Sequence, residues 1–322
     1  MNKVKTAFSK LPGILYGLLA IGLIFSVVAQ GFFTVSNLLD LAKSSGLLIL
    51  VSMGMSLCIL SGYIDMSVGA LMSLSGVVTA LCLKAGTGLL VAVLAGIVTG
   101  LAVGSINGAL IAYEKFDFWV VTYAMMGICQ GVALKLSNGN TIAGFKTDFR
   151  FIGDGKILGI YFIIWATALL CLVMTLLCNK TKFGYNIYSI GGSYQCASLA
   201  GVNVRKNLFF VFVLSGLLAS LSGIMLAAKS NSASPIGGQG YEFDAIAAVL
   251  IGGTSFEGGK GKITGTIIGA IMMRMIRNGL NLVGFSPYYQ TFLMGLIIVA
   301  IILIDVVNQH RKKIQATRRV YK

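Results

Sequence analysis

Charge is what this sequence has least of. Only 11% of its 322 residues are Asp, Glu, Lys or Arg, against roughly 25% in soluble globular domains. Together with 57% apolar residues and a mean hydropathy of +0.88, the shortage excludes a water-soluble globular chain and places this one in a lipid bilayer. Histidine is nearly absent. His310 stands beside Arg311, Lys312 and Lys313 and reads as a solvated tail residue, so no Ser/His/Asp or Cys/His nucleophile is expected. The cysteines (Cys58, Cys82, Cys129, Cys171, Cys178 and Cys196) show no CxxC pair or other metal-ligand spacing. They read as small buried side chains, and no metal or other cofactor bound by this chain is expected. There is no Gly-x-x-x-x-Gly-Lys-Ser/Thr phosphate loop, which excludes an ATPase of that kind. Proline is scarce too: Pro12, Pro235 and Pro287 all stand at the edges of apolar runs.

The net charge of +15 would point to nucleic acid in a soluble protein. Here no basic stripe is interleaved with aromatics, so no nucleic-acid partner is expected and the charge is read as membrane orientation. The apolar runs predict an all-α polytopic membrane protein of about ten transmembrane helices. The expected spans cover 14–29, 45–60, a third that continues through Leu83 after the interruption SGYIDMSVG (61–69), 89–113, 118–136, 157–177, 208–228, 241–253, 263–283 and 288–306, with 31–43 as a polar-edged connection. The basic start and first apolar run imitate a signal peptide, and are read as an uncleaved signal anchor.

Charge counting orients the chain. Of 25 lysines and arginines, Arg274 and Arg277 lie within a span. With the N-terminus inside, seven fall outside (Lys43, Lys84, Lys135, Lys146, Arg150, Lys156, Lys229) and sixteen inside. That bias predicts both termini in the cytoplasm, and with them the loop 178–206. This loop carries basic residues at both ends (Lys180 and Lys182; Arg205 and Lys206). Its centre predicts a short helix, with Ser193 as N-cap and Gly201 as C′ stop.

The two halves, about 11–136 and 157–306, echo each other. GYIDMSVGALM precedes the third span and GYEFDAIAAVL opens the eighth; Asn107-Gly108 answers Asn278-Gly279. Matched spans lie five apart, an odd number, so the halves would be inverted in the membrane, as in many transporters. The halves make Asp65, Asn107, Asp244, Arg274, Arg277 and Asn278 candidates for a pathway or repeat interface. Asp65 and Asp244, each just before an apolar run, also fit helix capping. Arg274 and Arg277 share one helical face; they either snorkel to the outer interface or contact a polar solute or outer partner. Asp65, Glu242, Asp244 and Asp305 sit at span edges and none mid-span, so the proton relay of an ion-coupled carrier is lacking. Gly96, Gly100, Gly104 and Gly108 recur every fourth residue, as do Gly261, Gly265 and Gly269. Such stripes let helix backbones approach, for packing, for lining a pathway, or both.

GYEFDAIAAVLIGGTSFEGGKGKITGTIIGA, SGYIDMSVGALMSLSGVV, INGALIAYEKFDFWVVTYAMMGICQG and NGLNLVGFSPYYQ together resemble the ABC sugar permeases of the ribose/xylose/galactose type, across about residues 10–306. GGSYQCASLAGVNV resembles that family's ATPase-contacting segment, departing at Ser193, Cys196 and Ala200 while keeping Gly191, Gly192, Ala197 and Gly201. Tyr185 lies in the same loop. The family's paired prolines before the fifth span are replaced by Asp117-Phe118. The resemblance implies a permease subunit of the bacterial inner membrane that imports a monosaccharide by alternating access. It implies cytosolic ATPase subunits that use the ATP, an extracytoplasmic solute-binding protein, and a second permease subunit, identical or related. Nucleosides, branched-chain amino acids or a sugar-derived signal are alternative solutes for the same architecture; a self-sufficient secondary carrier and a non-transporting membrane scaffold are alternatives of other classes.

Overall fold

The computed structural model describes residues 13–320, with side chains described for 13–303, 306 and 307. The basic start (Lys3, Lys5, Lys10) and the side chains of Asp305 and of residues 308–322, His310 among them, lie outside the described residues.

A helix stands at each expected span: α1 (Gly13–Val28), α2 (Val35–Leu60), α3 (Val68–Lys84), α4 (Leu89–Ala112), α5 (Phe118–Ser137), α7 (Phe162–Lys180), α10 (Val204–Ser230), α11 (Tyr241–Ile251), α12 (Ile263–Val283) and α13 (Pro287–Val320). Between them lie α6 (Thr147–Asp154), α8 (Lys182–Gly192) and α9 (Tyr194–Leu199). Among the described residues five helices, α2, α4, α5, α7 and α10, are long and apolar enough to cross a membrane; α1, α3 and the first part of α13 are apolar but shorter. With 11 residues, α11 reaches about half of a ~30 Å hydrocarbon core at ~1.5 Å per residue. Among the described residues strand is confined to four dipeptides, β1 (Ile142–Ala143) with β4 (Ser232–Ala233) and β2 (Lys156–Ile157) with β3 (Ile160–Tyr161).

Local chemistry sets the helix ends. The Thr34 hydroxyl accepts from the Asn37 N–H and starts α2 ten residues before the expected span. Asp117 accepts from the Trp119 N–H at 2.8 Å and starts α5, a side-chain cap in the place of proline. Asn138 (φ +51) followed by Gly139 stops α5, and Gly284 (φ +90) stops α12. The Thr181 hydroxyl donates to the Leu177 carbonyl, closing α7, and accepts from the Gly184 N–H, opening α8.

The core is built on α2 and α10. Every α2 residue from Ser45 to Leu60 is buried, and Gly54 of α2 meets Ser215 of α10. Each of these helices packs mainly against elements at the other end of the chain. α2 lies against α11 and α12, whereas α10 lies against α3 and α4. The glycine stripe of α4 makes the second contact: Gly96, Gly100, Gly104 and Gly108 face Ile224, Ser220, Phe212 and Phe209 of α10. In α12, Gly265 approaches the carbonyl of Gly252, just past the end of α11, and Gly269 that of Ala248 within α11. Gly261 precedes α12 and faces Thr254; it closes a loop and does not extend the helical stripe. The outward faces of α5, α7 and α13 expose Val120, Tyr123, Leu169, Leu172, Phe292 and Val299, an apolar band suited to lipid.

Candidate functional site

Two polar clusters interrupt the apolar core, and each contains one of the echoing aspartates. The first lies where the chain breaks between α2 and α3. Gly62 (φ +86) turns the backbone, and Asp65 is only 1% exposed. Its Oδ1 accepts from the Ser67 N–H at 3.0 Å and from the Ser67 hydroxyl at 2.6 Å; its Oδ2 accepts from the Ser215 hydroxyl at 2.9 Å. The Asn107 amide of α4 donates to Ser67 Oγ at 3.0 Å. Asp65 thus holds the break, α4 and α10 together. It does not cap α3, whose N-cap residue is Ser67.

The second cluster lies at the start of α11. Gly240 (φ +88) is the N-cap residue, and Asp244 sits inside the first turn. Asp244 accepts from Arg277 Nη2 of α12 at 2.6 Å, with its side chain 3% exposed. Arg277 is therefore consumed by an internal ion pair, neither snorkelling nor free for an outer partner. Arg274, three residues earlier, lies over the Tyr241 ring at 4.5 Å. Asn278 exchanges amide hydrogen bonds with Asn37 of α2, at 2.9 and 2.8 Å. Beside them, α2, α12 and α13 enclose a polar cavity of about 230 Å³, lined by Asp40, Ser44, Arg274, Arg277, Asn278, Asn281 and Gln290 among others. Lys229, at the end of α10, pairs with Asp40 at 3.0 Å and donates to Ser44 Oγ at 2.6 Å.

The loop 178–206 is largely helical. As expected, Ser193 caps α9, its hydroxyl accepting from the Cys196 N–H at 3.2 Å, and Gly201 follows with φ +81. The longer α8 has no clear sequence signal. Ala197 is buried against Ile190, Val204 and Leu208. A Cβ at Gly191 would overlap the Leu60 carbonyl oxygen and approach Gly259 N to 2.5 Å. Gly259 N–H in turn donates to that same Leu60 carbonyl at 2.9 Å, and the Tyr188 hydroxyl donates to the Gly261 carbonyl at 3.1 Å. Burial pushes the Tyr188 phenol above its ordinary pKa, with a smaller contribution from Cys178. Gly191 and Ala197 therefore dock this segment on the rest of the protein. Tyr185, Gly192, Cys196, Ala200 and Gly201 are exposed, and Ser193 is half-buried. Tyr194 is 44% and Leu199 90% exposed; these two groups at either end of α9 were missed in the sequence. No acidic residue occurs from 178 to 206.

Among the described residues no group of three His, Cys, Asp or Glu comes together. Ser67, Ser215, Asn37 and Tyr241 complete the two clusters; Ser67 and Tyr241 lie within the echoing stretches, whereas Ser215 and Asn37 carried no signal in the sequence.

The family model described as "Branched-chain amino acid transport system / permease component" matches residues 37–302. The ribose import permease protein RbsC of Escherichia coli (strain K12) is 38% identical over 295 residues, covering 90% of this chain and 92% of the relative. The D-allose transport system permease protein AlsC of the same organism is 35% identical over 281 residues, covering 87% and 86%. The L-arabinose transport system permease protein AraH, also from that strain, is 33% identical over 302 residues, covering 92% of each. No solved structure matches the chain.

Proposed function

The chain belongs to the branched-chain amino acid transport system / permease component family, and from that premise we propose that it is the membrane subunit of an ATP-driven importer of a monosaccharide. The family description names amino acids, but the similar relatives are named for ribose, allose and arabinose, which favours a single sugar as cargo. The subunit translocates and does not catalyse. In this reading ATP is hydrolysed by a separate cytosolic ATPase docked on α8 and α9, a solute-binding protein delivers the sugar from outside, and a second permease subunit completes the pathway. Residues 11–136 and 157–306 form two inverted halves, consistent with the reciprocal packing of α2 on α11 and α12 and of α10 on α3 and α4.

One observation carries the coupling role. The exposed side chains of Tyr194 and Leu199 belong to α9, which directly follows a helix whose end is seated by glycine contacts on Leu60 and Gly259. Leu60 closes α2 five residues before Asp65. A push on α8 and α9 is thereby delivered to the break between α2 and α3 and to the Asp65 network that ties α4 to α10. Alternating access needs such a rigid route.

Gly201 tests it. Its φ of +81 admits glycine at least strain, and a side chain there would project into open space on the docking face. Gly201→Leu is expected to abolish ATP-dependent uptake while membrane insertion stays intact. Normal uptake by the variant would overturn the coupling role. Accumulation of solute by the purified chain on an ion gradient, with no ATPase, would overturn the importer reading itself.

A further inference from the structure

The polar cavity between α2, α12 and α13 has one cation too many. Among the described residues, Asp40 is paired with Lys229 at 3.0 Å and Asp244 with Arg277 at 2.6 Å. Glu242 is turned away: its Oε1 accepts from the Gly240 N–H, and its Oε2 lies where a Cβ of Gly69 would be. Arg274 belongs to no ion pair among the described residues. Its Nε and Nη2 are buried without a hydrogen-bond partner, as is Nε of Arg277. The Tyr241 ring at 4.5 Å orients the Arg274 guanidinium but accepts none of its hydrogen bonds in the plane. Buried guanidinium N–H groups without an acceptor, on a half-buried cation without a counter-charge, are unfavourable, and a guanidinium fork is shaped for a carboxylate.

We propose that this cavity binds a monosaccharide bearing a carboxylate, with Arg274 as the counter-ion of the acid group; the solute class is then an acidic sugar and not a neutral one. The proposal rests on the reading of the chain as a sugar importer's membrane subunit. A neutral sugar would satisfy hydrogen bonds but leave the charge of Arg274 unmatched. A lone inorganic anion would match the charge but leave most of the 230 Å³ and its amides unused. Gln290 Nε2 donates to Asn281 Oδ1 at 2.6 Å and to the Phe285 carbonyl at 2.9 Å. That leaves the Asn281 amide N–H groups and the Gln290 carbonyl oxygen for sugar hydroxyls. The volume is below the ~300–1,000 Å³ of sites for drug-sized ligands, which suits a single ring.

The test is direct binding to the purified full chain in phosphatidylcholine nanodiscs. The probes are glucuronate, galacturonate and ribonate, their neutral parent sugars, and inorganic phosphate. The acid sugars are expected to bind saturably, with neither neutral sugar nor phosphate displacing them at equal concentration. Arg274→Gln is expected to weaken binding about ten- to a hundredfold, the range for loss of a charged hydrogen bond, and Arg274→Lys to keep part of it. Thermal unfolding of both variants confirms that they are folded. Neutral sugar or phosphate competing equally would overturn the proposal. So would Arg274→Gln binding like the parent, or no saturable binding of any acid sugar. A parallel ATP-dependent uptake assay with the full importer separates the two readings. Uptake of a neutral sugar but no acid sugar overturns this inference and leaves the importer standing; uptake of neither class overturns the importer.

Discussion

Adding one methyl group at Gly104 should push α4 away from α10. An ideal Cβ there would stand 2.5 Å from the Phe212 carbonyl oxygen and 3.1 Å from Val213 Cα of α10, where ordinary contact begins at 3.4 Å. Both neighbours are backbone, so no rotamer can move aside, and α10 has to retreat by about 0.9 Å. A gap of that size forfeits about a quarter to a half of each dispersion contact along the seam, and overpacking in tight cores costs about 1–3 kcal/mol. Helix propensity works the other way, since alanine in a helix interior is favoured over glycine by up to about 1 kcal/mol. Gly131 in α5 isolates that opposing gain, because nothing lies within 4 Å of its Cβ position. Gly104→Ala should therefore be less stable than Gly131→Ala by about 1–3 kcal/mol, with propensity cancelling in the comparison. A thermal ramp with a thiol-reactive dye reads this out, since Cys58, Cys129 and Cys178 are buried until the protein opens and Cys196 supplies a constant background. Equal melting of the two alanine variants, or a more stable Gly104→Ala, would refute the close approach of α4 and α10.

The ion pair between α11 and α12 should behave as a coupled unit. Asp244→Asn and Arg277→Met should each destabilise the protein and the double variant should recover part of the loss, with a coupling of about 1 kcal/mol in line with polar contacts inside membranes; additive losses in thermal unfolding would exclude the pair. Removing the α9 cap with Ser193→Ala should cost that helix about 1 kcal/mol. Faster hydrogen exchange confined to residues 194–199 and reduced ATP-driven uptake are the expected readings, and unchanged exchange would count against the cap.

Most of the helices were legible because each is an apolar run of the right length. The start of α2 was not. Asn37, Asp40 and Lys43 make its first turns read as a loop, yet each is satisfied far away in sequence, by Asn278, Lys229 and Asp154. α8 was hidden for the opposite reason: three of its 11 residues are glycine, poor helix formers on their own, and its stability comes from the Thr181 cap and from docking on Leu60 and Gly259. The echo of Asp65 with Asp244 and of Asn107 with Asn278 pointed to two real clusters. Their partners were illegible, since Ser215 lies 150 residues from Asp65 and Arg277 lies 33 from Asp244 on a different helix. The two arginines on one helical face were visible as a pair, but only the structure separates the one that is neutralised from the one that is not.

The reciprocal seating of α2 and α10 also has a consequence for how the protein is made. About 200 residues separate the end of α2 from the start of α12, so at ~5–20 residues per second α2 waits about 10–40 s in the membrane before α12, the last of the helices packed on it, emerges. During that time Ser56, buried in the finished protein, lacks the Thr266 hydroxyl that later donates to it at 3.1 Å. α10 meets no such delay, because α3 and α4 precede it. The first half of the chain is thus completed by the last spans to be synthesised, and a nascent chain released before α12 leaves open the face of α2 on which α12 packs.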